Sequence, residues 1–273
     1  MTKITSESSH VKTDELGSRC IDRSVFVGMT PEQQRAHFDE HGFLMVPNAV
    51  DPTQIRRILA EVAAEAGPAS SLDFAEHWPP PSIVELIVNP PILTAVRTCY
   101  GPDIRFFKGV YSNWLHITEE QRRERARQSF HLDFAAGGEN GDFRNSCASW
   151  VNVGTYLVDL SPDRGPLWVI PGSRHWLHLA PRQNFEYLDD RARMVLAKAG
   201  DAVLIHCFTI HAGGIAKTAQ PRHSVFNSYR PGWAQPVGPV PEWPEETVRN
   251  ASPELRELLE GQNKGIMSDP SNP

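Results

Sequence analysis

From Ile104 to about Arg230 the chain is a succession of short segments rich in aromatic and β-branched residues, separated by turns. No other feature constrains the fold as much. The candidate segments are IRFFKGVYSNWLHI, SFHLDF, SWVNVGTYLVDL, PLWVIPG, AVLIHCF and HSVFNSYR. Their composition predicts strands, and SPDRG and PGSR read as turns. Helix signals precede them. In MTPEQQRAHFDEHGF, Thr30 is a candidate N-cap, Pro31 sits at the first helical position and Gly42 ends the helix. LMVPNAV reads as a short strand, and Asp51-Pro52 opens an amphipathic helix closed by Gly67. PSIVELIVNPPILTAVRTCYG holds two short helices broken at Pro90-Pro91, and PELRELLEG suggests a last one near the end. Helices, then strands, then a helical tail predict a mainly β fold with flanking helices packed outside a barrel or sandwich.

The chain is long enough for a substantial core: 273 residues, 40% of them hydrophobic. We expect a mobile arm over 1–25 and a single domain over 26–273. That domain has a helical part at 30–100, a β core at about 104–230 and a tail at 231–273. Net charge is −6, from 27 basic and 33 acidic residues, so no basic excess is present to neutralise phosphates and no nucleic-acid partner is expected. The four cysteines Cys20, Cys99, Cys147 and Cys207 are scattered without a CxxC pair, which predicts reduced thiols in a cytoplasmic protein. No apolar run is long enough to span a bilayer. A monomer or homodimer is expected.

The chemistry concentrates in two places. In QSFHLDFAAGG, His131 and Asp133 are two residues apart, so on a strand both side chains point to one face. An exposed strand with two polar side chains looks the same, so the pair alone decides nothing. In GDAVLIHCFTIHAGG, His211 sits where an apolar strand gives way to a turn. Two imidazoles and one carboxylate are the donor set of non-haem Fe(II) oxygenases, with positions left open for other ligands. The residual positive charge suits a bidentate anionic co-substrate, 2-oxoglutarate, whose remote carboxylate then needs a cation. Arg222 follows His211 by 11 residues, and its planar fork matches a carboxylate. His206 is a competing third ligand, though its apolar mid-strand setting reads as a core histidine. His175 reads as a turn or rim residue. His223 adjoins Arg222 and should face the other way.

Four stretches in order resemble the phytanoyl-CoA dioxygenase family of Fe(II)/2-oxoglutarate oxygenases. They are HGFLMVPNAVDPTQIRRILAEV, HLD, SPDRGPLWVIPGSRHW and GDAVLIHCFTIHAGGIAKTAQPRHSVFNSYRPGW, spanning about Glu40 to Trp233. The resemblance implies a double-stranded β-helix (jelly roll, cupin-like) core. It implies that His131, Asp133 and His211 hold the iron and that Arg222 clamps 2-oxoglutarate. Implied too is oxidation of a small-molecule substrate with O2, with succinate and CO2 as co-products and ascorbate stimulatory. The chain departs from the family pattern at Phe130, at Gly154-Thr155 and in PDRG. On strand parity, Thr155, Tyr111, Asn113 and Lys108 are candidate second contacts to 2-oxoglutarate, with Tyr111 and Asn113 on one face and Lys108 on the other. Phe134, Tyr229 and Trp233 are candidate pocket residues. The charge run at 116–128 is a candidate lid. Asp133 fills the ligand position that a halogenase keeps for chloride. A non-oxidative cupin-like metalloprotein would have no need of Arg222, and an inactive binding module no need of the complete triad.

Overall fold

The computed structural model describes residues 19–66, 71–114, 130–133, 149–176, 190–214, 216–218, 220–234 and 242–260. The expected lid at 116–128, and Phe134 with the small residues after it, lie outside the described residues.

Helix α1 spans Pro31–His41. Thr30 and Gln33 close a reciprocal capping box at its start, Pro31 occupies the first turn, and Gly42 ends it in a left-handed conformation at φ 77°. Strand β1 is Phe43–Val46 and helix α2 is Pro52–Ala66. Asp51 caps α2 by accepting from the backbone N–H groups of Thr53 and Gln54. A short strand β2 (Ser71–Asp73), helix α3 (Pro81–Ile87) and helix α4 (Pro90–Tyr100) follow. The proline pair that splits the two helices starts α4, where a missing N–H costs nothing, and Asn89 caps it.

The long strand β3 (Ile104–Trp114) opens the β core. After it come β4 (Val151–Tyr156), β5 (Leu167–Val169), β6 (Arg193–Val195), β7 (Ala202–His206), β8 (His211–Gly213) and β9 (Arg222–Pro231). With β1 and β2 they form, among the described residues, a six-stranded sheet, ordered β1-β7-β4-β9-β3-β2, and a three-stranded sheet, ordered β6-β5-β8. A bridge between His131 and His211 extends the smaller sheet past β8. All pairs among the described strands are antiparallel. From β3 onward the chain passes back and forth between the sheets, the winding of a double-stranded β-helix, or jelly roll. Short helices α5 (Glu245–Asn250) and α6 (Pro253–Leu259) close the described chain.

The outer face of the large sheet carries the helices: α4 packs on β1 and β9, and α6 on β3. Ile92, Leu93 and Val96 of α4 and Leu258 and Leu259 of α6 are buried, each such side chain contributing roughly 1.5–3 kcal/mol. A second apolar cluster (Phe130, Trp168, Ile170, Met194, Ile210, Ala212) lies on the far side of the small sheet. The expected N-terminal arm is anchored in its last residues. Cys20 bridges to Met194, and Arg23 forms a two-pronged ion pair with fully buried Asp201, both contacts at 2.7 Å. No described helix is long and apolar enough to cross a membrane.

Candidate metal centre

Strand alternation builds the site. His131 and His211 exchange backbone hydrogen bonds at 2.9 and 3.0 Å, and such paired residues share one face. Their neighbours Phe130, Ile210 and Ala212 go to the opposite face and fill the second apolar cluster, with Leu132 packed against it. His131, Asp133 and His211 are therefore left on the inner face. One ligand atom from each lies within 4.8 Å of the others, the geometry of a metal-binding group. Asp133 Oδ1 is 3.7 Å from His131 Nε2 and 3.6 Å from His211 Nε2. His211 is buried and His131 exposed, so the cluster opens to solvent on the His131 side.

Supporting contacts set the orientation of these groups. His211 Nδ1–H donates to the Thr209 carbonyl at 2.9 Å, which leaves the Nε2 lone pair for a metal. Thr209 Oγ in turn donates to the carbonyl of Gly42, the residue that ends α1. Asn152 Nδ2 donates to Asp133 Oδ2 at 2.6 Å, and Ser228 Oγ donates to Asn152 Oδ1.

Arg222 lies at the start of β9, only 2% exposed. Its guanidinium donates to the Gly165 carbonyl and lies 5.8 Å from the Tyr156 ring. Burial lowers its pKa, and the Tyr156 hydroxyl opposes that shift. Burial also raises the Tyr156 hydroxyl, against a smaller lowering by Arg222. On β9 the parity of Arg222 is that of Ser224, Phe226 and Ser228, and registered partners carry it to Tyr156, Gly154 and Asn152 on β4. All of these share the inner face.

The same parity sorts the remaining candidates. Lys108 pairs with Ser228, so it shares the inner face. Its ammonium lies 5.6 Å from the Phe107 ring and 5.9 Å from the Trp150 ring. Yet Ser228 is six residues along β9 from Arg222, roughly 20 Å at strand spacing, so Lys108 sits at the opposite end of that face from the guanidinium. Tyr111 and Asn113 pair with Val225 and His223, and Thr155 with Val225, which puts all three on the helix-side face. Tyr111 OH contacts His223 Nδ1 at 2.7 Å. Tyr229 faces the helices as well, and its hydroxyl donates to the Ile87 carbonyl at 2.7 Å. It is part of the core rather than a pocket wall. Trp233 lies beyond the end of β9 and is 55% exposed. His206 stacks on Tyr100 in the helix-side core, and His175 donates to the Asp39 carbonyl.

Asn152, Ser228 and Thr209 escaped sequence reasoning. For Ser228 a signal existed, since it shares parity with Arg222. Asn152 offered only its polarity in an otherwise apolar strand, and Thr209 none.

Fold and site together define a class: jelly-roll proteins with a two-histidine, one-carboxylate metal centre. The phytanoyl-CoA dioxygenase (PhyH) family profile matches residues 38–224, more than half of the chain, and the chain belongs to that family. It is, in kind, a 2-oxoglutarate-dependent non-haem iron enzyme. No curated protein matches it in sequence. Solved structures share its fold at low identity. HygX from Streptomyces hygroscopicus, with nickel and 2-oxoglutarate bound, has a TM-score of 0.61 at 18% identity, over 80% of this chain and 99% of that one. The α-ketoglutarate-dependent epimerase SnoN from nogalamycin biosynthesis has a TM-score of 0.57 at 19% identity, over 79% and 93%. The carbocyclase SnoK from nogalamycin biosynthesis has a TM-score of 0.56 at 18% identity, over 83% and 92%.

Proposed function

We propose that this protein is an Fe(II)- and 2-oxoglutarate-dependent oxygenase that hydroxylates, desaturates or cyclises a small-molecule metabolite and releases succinate and CO2. The observation that carries this reading is the convergence of His131, Asp133 and His211 on one inner face, with ligand atoms within 4.8 Å of one another. Two imidazole nitrogens and a carboxylate suit Fe(II), and the Thr209 contact already selects the His211 tautomer that exposes Nε2. When bound, the iron supplies the redox chemistry that couples decarboxylation of 2-oxoglutarate by O2 to oxidation of the substrate.

The protein's own groups bind, orient and exclude water. Asp133 lowers the charge of the centre, and its presence as a ligand argues against halogenation. Arg222 receives the remote carboxylate of 2-oxoglutarate. Its guanidinium is desolvated and aimed by Gly165 and Tyr156, so a charge-assisted pair there is strong and directional. Tyr156 and Phe226, 6.3 Å apart on the same face, form an aromatic wall beside that path. A Cβ at Gly154 would meet the Phe226 ring at 2.7 Å, so the glycine lets Phe226 lie across β4.

The fold does not select the reaction, since SnoN is described as an epimerase and SnoK as a carbocyclase. The test is incubation of purified protein with Fe(II), ascorbate, 2-oxoglutarate and a panel of metabolites, with succinate measured. We expect succinate that depends on 2-oxoglutarate and rises with the correct substrate. No succinate across the panel, together with no 2-oxoglutarate binding in a titration, would sink the proposal.

A further inference from the structure

The geometry points to a positioning pair behind the metal ligands: Asn152, fixed by Ser228, keeps Asp133 a one-oxygen ligand. This inference rests on the reading of His131, Asp133 and His211 as a metal centre.

The two oxygens of Asp133 have different partners. Oδ1 faces both histidine Nε2 atoms, at 3.7 and 3.6 Å. Oδ2 accepts from Asn152 Nδ2 at 2.6 Å, a short charge-assisted hydrogen bond. An amide can present either its N–H₂ or its oxygen, and the wrong choice would set a carbonyl against the carboxylate. The Asp133 carboxylate only accepts, so it takes the N–H₂, and the Ser228 hydroxyl then donates to the outward Asn152 Oδ1 and holds the amide in that orientation. The backbone holds the pair together: Asn152 and Ser228 are registered partners on β4 and β9, on the inner face. Asn152 stands between Val151 and Val153, both fully buried, so its amide has no role in packing the helix-side core.

The consequence is chemical. A carboxylate with both oxygens free can close onto a metal through both of them. The second oxygen would then compete for a position that a chelating co-substrate needs. With Oδ2 committed to Asn152, Asp133 supplies a single oxygen and that position stays open to 2-oxoglutarate.

The test uses the full chain saturated with Mn(II), which holds the site without turnover, and calorimetric titration of 2-oxoglutarate. Asn152→Leu removes the donor at similar volume, and Ser228→Ala frees the amide. We expect Asn152→Leu to weaken 2-oxoglutarate binding about tenfold or more and Ser228→Ala to weaken it by a smaller factor. Metal-free melting temperatures should stay within a few degrees of wild type, which separates positioning from folding. If both variants bind 2-oxoglutarate within about twofold of wild type, the pair has no positioning role. If Asn152→Leu does not fold, unchanged binding by Ser228→Ala alone overturns the inference. Wild-type protein that takes up Mn(II) but binds no 2-oxoglutarate overturns the co-substrate reading itself, a result distinct from unchanged variants.

Discussion

Arg222 is almost wholly removed from water, so a carboxylate that reaches its guanidinium pairs with it under little solvent screening. Arg222→Ala should raise the KM for 2-oxoglutarate by roughly tenfold to a hundredfold, the value of a hydrogen-bonded charge pair, with a smaller change in kcat. Steady-state succinate formation at varied 2-oxoglutarate measures it. An unchanged KM would remove Arg222 from co-substrate binding. His37 makes a separate prediction about stability. It packs edge-on against Phe26 and 4.4 Å from the His41 ring. Burial, then His41, push its pKa down to about 4, against an opposing effect of Glu40. Between that value and the ordinary histidine pKa, the unfolded chain binds a proton that the folded chain refuses. Stability should therefore be fully present above about pH 6.5 and fall on acidification toward pH 4, by at most about 1.4 kcal/mol per unit from this group. Urea unfolding of wild type and His37→Gln across that range checks it. The two stability curves should run parallel above pH 7 and diverge below it; parallel curves throughout would contradict the assignment.

At the scale of elements, one connection runs from a helix end to a metal ligand. Gly42 closes α1 at φ 77°, and its carbonyl accepts from Thr209, whose own carbonyl orients His211. A Cβ on Gly42 would lie 2.1 Å from Thr209 Oγ, besides the strain of that φ. Gly42→Ala should cost about 1–3 kcal/mol of stability. It should also weaken metal binding, since Thr209 must move; thermal melting and Mn(II) titration report the two effects separately. Intact metal affinity in a destabilised variant would show that the Thr209 contact does not govern His211. The ends of α1 were legible in the sequence because capping is local chemistry: Thr30, Pro31, Gln33 and Gly42 act within a few residues of one another. Strand parity was equally legible, and it separated Lys108 from Tyr111 and Asn113. Which face points inward was not. That depends on what covers each side of the sheet, here α3 and α4 against Tyr229, His206 and their neighbours. For this reason Thr155, Tyr111 and Asn113, candidates on strand parity, lie on the helix side, and so does Tyr229, a candidate as an aromatic pocket residue. A register shift between Phe106 and Lys108 further resets the alternation in β3.

In the whole molecule, the jelly roll brings together residues that are far apart in sequence. His131 and His211 become partners across the small sheet, and Asp133 meets Asn152 where the small sheet faces the large one. The spacing of His131 and Asp133, and His211 before its glycine pair, were legible in the sequence, but the structure puts His131 in a lone bridge, Asp133 in a bend and His211 at the start of β8 rather than at the end of a strand. The Ser228–Asn152–Asp133 chain has no such signature, since it exists only once β4 and β9 are in register. Whether His131, Asp133 and His211 hold the iron that turns over 2-oxoglutarate is read by comparing succinate formed by wild type and Asp133→Ala under Fe(II), O2, ascorbate and 2-oxoglutarate, with both proteins shown to be folded. We expect succinate from wild type and none above background from Asp133→Ala. Full succinate formation by Asp133→Ala would remove these three residues as the iron site.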